Sequence, residues 1–486
     1  MFKLINLKKY RYLFLAITIC LVFFAAYSTL SIVRHLHYES YGYDLGINDQ
    51  TVWRYSTFQI PITTIDPFPD KTKLSAHVEL IYALVSPFYW IWSARKMLLL
   101  VSVFVVCSGG IAVYLLSKER LKSEVISFSL LINYLMFFGL QFAVWFDVHS
   151  TNFAAAFLAW FIYFVDQKKS KLSLLFFLLA ITSKENIALY TFVIALLYLI
   201  RRKSKLLMFF AIFSILYLLF IFYVFFPHIV QTRYLYQNTG GLLSNLNPLY
   251  LFNSQEKLMT IFYSFLSFGF LPILNPLTLV LVFTHFATFF VLASDLPGAQ
   301  GLFGHYRVTL DPLLSWATIA TIGTFKFFNK KYVAIYIFSC AFFVQYSLHL
   351  PLSYLTKQWF WTEAPAVSNI NNLINTYLPE NASVVSQNNI TPHISHRDKI
   401  YTLYPVKMNF TNNSPCGRAE CNWFHWFANP EFLIIDTSSN WDIRHLLANR
   451  DDYVEGIINL EKMGVIKKYE HIGNATLYKV LKDPDN

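Results

Sequence analysis

Apolar runs long enough to cross a bilayer as helices, about 20 residues each, follow one another from residue 10 to residue 350. Short clusters of lysine and arginine separate them. Hydrophobic residues make up 56% of the chain and charged residues only 14%, which excludes an ordinary soluble domain. The net charge of +11 comes from scattered residues and not from one basic patch, so nucleic acid is not an expected partner. These features predict a polytopic α-helical protein embedded in the lipid bilayer.

Clusters of basic residues indicate which loops face the cytoplasm. Basic residues precede the first run, Tyr10 to Val33, which is too long for a signal-peptide core. The N-terminus is therefore expected in the cytoplasm of a cell-membrane protein, with residues 34 to 73 outside. Continued alternation of basic loops predicts about eleven crossings and an outward C-terminal tail. Residues 74 to 92, rich in tyrosine and tryptophan, are expected to lie along the outer interface instead of crossing.

Two breaks are predicted inside the apolar region. Between the basic clusters at residues 168–171 and 201–205 the chain must go out and return. Its first limb spans only about 17 Å against a hydrocarbon core of about 30 Å, so Ser183 to Asn186 should turn at depth within the protein. Asn275-Pro276 should separate two spans, because the residue before a proline disfavours helix.

The chain after residue 350 has the pattern of a separate domain. Ala382 to Ser386 and Glu431 to Asp436 read as short buried strands, whereas Pro365 to Leu378 and Asn440 to Leu460 have helical spacing. We therefore predict a transmembrane domain over residues 1–350 and a small extracytoplasmic α/β domain over residues 351–486.

Cys416 and Cys421 lie close together in the tail. On the outer side of a membrane such a pair is expected to form a disulfide. A metal site would need further ligands nearby, and only His425 is close.

The first outer segment carries two acids, Asp44 and Asp49, in the stretch Tyr41 to Gln50. Gly42 and Gly46 permit an irregular backbone there. On a helix the two acids would lie near opposite sides, whereas in a turn they could converge. The alternative is that both are solvated turn residues.

Further polar residues flank the apolar runs. His77 and Glu79 begin the segment expected at the interface, and Asp147 and His149 begin a span at the same outer level. Each alone could be a helix cap or a residue facing lipid headgroups, but ionisable groups at membrane depth are costly and usually functional. The adjacent charges of Lys184 and Glu185 could equally neutralise each other in the predicted turn.

Several of these motifs, taken in order, resemble domain-of-unknown-function family 2079 of multi-pass membrane proteins. They are Tyr43 to Gln50, Ala76 to Glu79, Phe146 to His149, Thr182 to Glu185, His305-Tyr306, Pro379 to Ser383 and Pro392 to Arg397. The family is similar in layout to the glycosyltransferase C superfamily, with a first span, a long acidic outer loop, many spans and an outward C-terminal domain. That second similarity is one of fold-level layout.

The resemblance implies transfer of a sugar from a polyprenyl-phosphate carrier to an envelope glycan, lipid or protein. Asp44 would then be the general base, since a base must lie within hydrogen-bond reach of the acceptor. Asp49 would orient that base or share a divalent metal; the metal requirement stays open and no other cofactor is implied. Arg307, beside His305 and Tyr306, would pair with phosphate, and Arg233 is the second candidate.

Two other classes of function remain. A transporter or flippase for a lipid-linked substrate would place its ionisable groups near the bilayer midplane, between inverted repeats. A non-catalytic scaffold that presents the tail would show no convergence of these residues. A transferase predicts acids and cations gathered at the outer leaflet.

Overall fold

The computed structural model describes residues 7–65, 72–93, 95–231, 248–292, 298–325, 329–405, 424–426, 429–439, 441, 443–447 and 449–482. The chain forms two compact units. The helical unit comprises Met1–Leu30, Ser75–Ile81 and Leu100–Thr356, and the tail unit comprises Ser31–Leu74, Tyr82–Leu99 and Lys357–Asn486. The first outer segment, residues 34–73, therefore belongs to the same compact unit as the tail. The predicted boundary at residue 350 assigned the segment and the tail to different domains.

Helices occur in both units, and short 3-10 helices and π-helical turns join several of them. In chain order the α-helices are α1 (Leu7–Leu36), α2 (Ile47–Ser56), α3 (Ile81–Val85), α4 (Phe88–Ile91), α5 (Lys96–Leu121), α6 (Glu124–Met136), α7 (Phe138–Trp145), α8 (Ser150–Asp166), α9 (Ser170–Ser183), α10 (Ile187–Arg201), α11 (Lys205–Phe220), α12 (Gln255–Ser267), α13 (Pro276–Ala287), α14 (Leu310–Thr324), α15 (Lys330–Ser347), α16 (Gln358–Trp361), α17 (Pro365–Tyr377), α18 (Ile443–Leu446) and α19 (Arg450–Lys462).

Within the described residues, four helical stretches have the length and composition to cross a membrane. They are Tyr10–Leu36, Lys96–Leu121, Glu124–Trp145 and Lys205–Ile229. Shorter apolar helices include Ser170–Ser183, Ile187–Arg201 and Pro276–Val291. The chain is thus a helical, membrane-type protein. The number of membrane crossings and the direction of each remain predictions.

Both predicted breaks coincide with interruptions of helix. Residues 184–186 form a non-helical turn between α9 and α10, and the Glu185 side chain in it is fully buried. Asn275 caps α13: its side chain accepts a hydrogen bond from the Thr278 backbone N–H at 3.3 Å, and Pro276 occupies the first turn. Proline suits that position because it has no N–H to donate.

Polar side chains tie the helices of the helical unit together. Asn133 on α6 donates to the Ser267 carbonyl at the end of α12 (2.7 Å), and Ser129 donates to the Ala334 carbonyl of α15 (2.7 Å). Gln141 on α7 bonds Gln345 on α15 at 2.7 Å. Such bonds supply direction between helices in lipid, where apolar surface alone gives little preference between neighbours.

The tail unit contains a five-stranded mixed sheet and a short two-stranded one. The strands are β1 (Val384–Ser386), β2 (Ile400–Thr402), β3 (Tyr404–Pro405), β4 (Phe424–His425), β5 (Phe432–Asp436), β6 (Ile466–Ile472) and β7 (Ala475–Val480). The large sheet has the order β2-β1-β5-β7-β6. β1 pairs parallel with β2 and β5, with Val384 opposite both Ile400 and Phe432, and β7 pairs antiparallel with β5 and β6. β3 and β4 form the antiparallel pair.

Alternate strand residues face two separate cores of the tail unit, as the period of two in a strand requires. One core holds Val384, Ile434 and Leu477 with residues of α17. The other holds Val385, Leu433 and Tyr478 with residues of α19. Tyr38, Ile47 and Ile65, from the first outer segment, lie in the α17 core. The tail sheet therefore completes one of its two cores with residues from a distant part of the chain.

Candidate functional site

A π-helical turn, Gly42–Gly46, leads directly into α2 and carries Asp44. The Gly46 backbone N–H donates to the carbonyl of Tyr41, five residues earlier, at 3.1 Å. Asp44 and Asp49 thus lie on one continuous helical segment, which resolves the two alternatives left open by their spacing. The Asp44 side chain is half-buried, and Asp49 is completely buried.

The Asp49 carboxylate accepts two hydrogen bonds in the tail unit and lies beside an imidazole. Tyr89 on α4 donates its hydroxyl to Oδ1, and Ser395 donates to Oδ2 at 2.5 Å. His396 Nε2 lies 2.9 Å from the same Oδ2. The His396 ring stacks on Trp53 of α2 (centroids 5.8 Å apart, 11° between planes) and is tilted against Tyr89. The carboxylate and its imidazole partner are therefore held by aromatic packing as well as by hydrogen bonds.

Neighbouring residues of α2 bind the same tail segment. Gln50 donates to the Arg397 carbonyl at 3.0 Å, and Arg54 donates to the Asp398 carbonyl at 2.8 Å. The Gly42 backbone N–H donates to Asn388, and a Cβ at Gly42 would lie 2.9 Å from Thr391 Cβ. Only glycine permits so close an approach without displacement of its neighbours. The acidic motif and the tail segment 388–398 thus form one tightly packed contact.

Two opposing effects act on the pKa of Asp49. Burial raises it, but the charge of His396 and hydrogen bonds from His396, Ser395 and Tyr89 outweigh burial, so the pKa lies below its usual value. Asp49 is therefore ionised across the physiological range.

A second cluster of ionisable groups lies in the helical unit. Glu185, in the turn between α9 and α10, accepts hydrogen bonds from the Val78 backbone N–H (3.0 Å) and from His77 Nδ1 (2.8 Å). Burial and the Lys184 charge lower the pKa of His77 against the opposing effect of Glu185. A neutral His77 that donates from Nδ1 carries its lone pair on Nε2. The predicted residues His77 and Glu185 are thus brought together.

Glu79 and the Phe146-to-His149 motif also belong to this cluster. Ser150 in the first turn of α8 donates to Glu79 Oε1 at 2.6 Å. Asp147, just before it, is buried and has φ of +78°, a left-handed conformation that non-glycine residues rarely adopt. Strain of this kind persists only where the surroundings enforce it, and it concentrates at functional sites.

His149 and His305 stack face to face, with centroids 3.5 Å apart and 14° between planes. Burial, followed by the effects of His149 and Lys184, lowers the pKa of His305 well below its usual value. His305 is therefore a neutral imidazole in the stacked pair. Tyr306, the next residue, packs against His305 and against Phe289.

The guanidinium of Arg307 is fully buried in the helical unit. It donates from Nε to the Gly301 carbonyl at 3.2 Å, from Nη1 to His285 Nε2 at 3.1 Å, and from Nη2 to the Ala299 carbonyl. Burial lowers the pKa of Arg307 to about 9. These bonds order residues 299–307, and pairing of Arg307 with phosphate stays a prediction that must compete with them.

Three predicted residues, Arg233, Cys416 and Cys421, lie outside the described residues. Among those that are described, no group of three or more His, Cys, Asp or Glu side chains is arranged to hold a metal ion. Sequence reasoning missed Tyr89, Ser395, His396 and Ser150. Ser395 and His396 lie in the tail motif that resembled the family, which was the one available signal.

The fold is similar to the crystal structure of ArnT from Cupriavidus metallidurans bound to undecaprenyl phosphate, with a TM-score of 0.54 and 10% sequence identity. The match covers 97% of this chain and 98% of that one, so the chain has an ArnT-like fold. No curated protein matches the sequence. A family model described as a predicted membrane protein, DUF2079, matches residues 34–439. The chain belongs to this DUF2079 family of predicted membrane proteins.

Proposed function

We propose that the chain is an integral-membrane glycosyltransferase that moves a sugar from a polyprenyl-phosphate carrier to an envelope acceptor. The ArnT-like fold supports a transferase of the glycosyltransferase C type. The undecaprenyl phosphate bound to ArnT supports a lipid phosphate as carrier. The acceptor is a glycan, lipid or protein that carries a hydroxyl or amine.

The observation that carries the proposal is the different surroundings of the two motif acids. Asp49 is completely buried, and the tail unit supplies donors to both its oxygens. Asp44 is half-buried in the π-helical turn. This difference in burial supports Asp44 as the general base.

In the proposed reaction, Asp44 takes the proton of the acceptor hydroxyl or amine while that oxygen or nitrogen attacks the anomeric carbon. The bond from that carbon to the carrier phosphate breaks, and its electron pair leaves on the phosphate oxygen. The phosphate needs cations to balance its charge. Arg307 and Arg233 stay the candidates that the sequence offers for this role.

The test is transfer from a polyprenyl-phosphate sugar pool into a cell-envelope acceptor by the parent and by Asp44→Asn. Asparagine keeps the shape but cannot take the proton, so the rate should fall about 100- to 10,000-fold. Asp451→Asn is the matched control, because Asp451 is an exposed carboxylate of the tail unit. Expression level and Tm are measured alongside. Transfer by Asp44→Asn at the parent rate would remove this residue from the mechanism and favour a transporter.

The outer location of the acidic segment and the tail is part of the same proposal. Cysteines placed at exposed Thr57 and Asp451 should react with an impermeant thiol reagent added to intact cells, and one at Lys203 should not. Labelling at residue 203 alone would contradict the proposed topology and place the tail in the cytoplasm.

A further inference from the structure

Asp49 and its imidazole partner suggest a role that differs from catalysis. We propose that Asp49 is a positioning residue: with His396 it fastens the tail segment 388–398 to the helix that carries Asp44 and so fixes the direction of the Asp44 carboxylate. The inference rests on the proposed function only in assigning proton transfer to Asp44. The fastening itself is independent of any reaction.

The Asp49 carboxylate is closed to an incoming acceptor. A general base must present an oxygen to the acceptor within about 3 Å. Asp49 has no exposed surface, Oδ1 accepts from Tyr89, and Oδ2 accepts from Ser395 and faces His396 at 2.9 Å. An acceptor could reach Asp49 only by displacing these donors.

Gly42, Gly46, Asp49 and Trp53 recur at the spacing of one helix face, and each contacts tail residues between Asn388 and His396. Asp44 is two residues from Gly42 and two from Gly46, and residues two apart do not share one face of a helix. The face that binds the tail thus excludes Asp44, and the tail contacts set the rotation of the helix about its own axis.

Several independent contacts join the acidic segment to the tail. Gly42 bonds Asn388, Asp49 bonds Ser395 and pairs with His396, and Gln50 and Arg54 bond the next two carbonyls. Bonds in series on one face of a short helix restrain both its rotation and its translation. A displacement of about 1 Å at a catalytic group can reduce a rate about 100-fold, so this restraint bears directly on Asp44.

The experiment compares Asp49→Asn, His396→Gln and the double variant of the full-length protein in lipid. Hydrogen exchange of residues 41–56 and 388–398 reports the fastening without any substrate. Both single variants should raise exchange in both segments, and the double variant should exchange little faster than either, because the two residues act as one pair. Unchanged exchange in Asp49→Asn overturns the fastening whether or not transfer is ever detected.

The kinetic arm distinguishes positioning from catalysis. Asp49→Asn should lower kcat about 10- to 100-fold, as expected for misplacement, and should leave the acid limb of the pH–rate profile in place because Asp44 still titrates. If Asp49 is the base, that limb disappears and Asp44→Asn retains it. Tyr89→Phe, which removes one donor and keeps the charge pair, should show the same pattern with smaller changes and covers the case in which Asp49→Asn fails to fold. Asp451→Asn should match the parent in both arms.

Discussion

The clusters around Asp49 in the tail unit and Glu185 in the helical unit contain the same pair of groups. In each, a fully buried carboxylate lies within 2.9 Å of an imidazole nitrogen. Around Asp49 the remaining neighbours are a hydroxyl, a phenol and aromatic rings. Around Glu185 they are further ionisable groups, among them Lys184 and Glu79. The same carboxylate–imidazole contact is thus surrounded by uncharged donors and aromatic rings in one cluster and by further ionisable groups in the other.

The largest expected effect concerns which residues complete the tail. Residues 351–486 expressed alone should fail to fold, because the α17 core then lacks Tyr38, Ile47 and Ile65 and the sheet loses the Asp49 contacts. Each large apolar side chain contributes about 1.5–3 kcal/mol, a large share of the 5–15 kcal/mol typical of a domain. Circular dichroism and thermal melting of the fragment measure this.

The control is full-length protein carrying a protease site at residue 356. After cleavage, the C-terminal piece should stay folded and bound. A cooperative melt of the isolated fragment would show that the tail is a domain by itself and that the contacts of the first outer segment are dispensable.

The next effect tests whether Glu185 is more than a local neutraliser. Glu185→Gln removes the charge that faces His77, and the amide NH₂ that replaces one oxygen cannot accept a hydrogen bond. We therefore expect the free energy of unfolding to fall by about 1–3 kcal/mol. Transfer should also fall, since His77 and the Val78 backbone lose a fixed acceptor. Denaturation and transfer rate are measured on the same preparation. Glu119→Gln, at an exposed i,i+3 pair with Lys122, should change stability by less than about 1 kcal/mol.

The pH dependence of stability should separate the two clusters. His77, facing Glu185, Glu79 and Lys184, and His305, facing His149, Lys184 and Arg307, have lowered pKa values in the folded protein. The unfolded chain then binds more protons below its usual histidine pKa of about 6.5, so stability falls as pH drops below that value.

Asp49 acts in a lower window. Its pKa is also lowered, and the groups around it are His396, Ser395 and Tyr89, with Arg95 and His35 further away. Its contribution is present above the usual Asp pKa of about 4 and is lost as pH falls through the lower folded value. Melting curves from pH 8 to pH 3 should show two steps. His77→Gln should reduce the first step, and Asp49→Asn should abolish the second.

The smallest effect concerns Ser150. Ser150→Ala removes the hydroxyl that donates to Glu79, and the free energy of unfolding should fall by about 1 kcal/mol. Ser368→Ala, which removes an exposed hydroxyl bonded to a carbonyl of its own helix, is the control and should lose less. Equal losses of unfolding free energy in the two variants would indicate that the Ser150–Glu79 hydrogen bond contributes no more to stability than an exposed one.

Local chemistry was readable from the sequence. Pro365 to Leu378 predicted α17 to within one residue, and the two predicted tail strands contain β1 and β5. The breaks at Asn275-Pro276 and before Asn186 followed from proline chemistry and from helix length. The family suggested by the ordered motifs is also confirmed.

Partners far apart in the chain were not readable. Asp49 meets Tyr89 forty residues later and Ser395 more than three hundred residues later, and no spacing rule connects them. The partners of Arg307 are close in the chain, Gly301 six and His285 22 residues before it, but the sequence does not show that the side chain turns toward them. A buried cation beside a histidine and a tyrosine reads identically in sequence whether it faces a ligand or its own backbone.

The π-helical turn at Gly42–Gly46 constrains how this segment can change in length. Removing one residue from it would restore α-helical hydrogen bonding and rotate everything before the deletion by about 100° relative to α2. A single deletion or insertion between Asp44 and α2 would therefore turn the Asp44 carboxylate to a different side while every tail contact of α2 stayed intact. For this segment, the number of residues is as much a determinant of function as their identity.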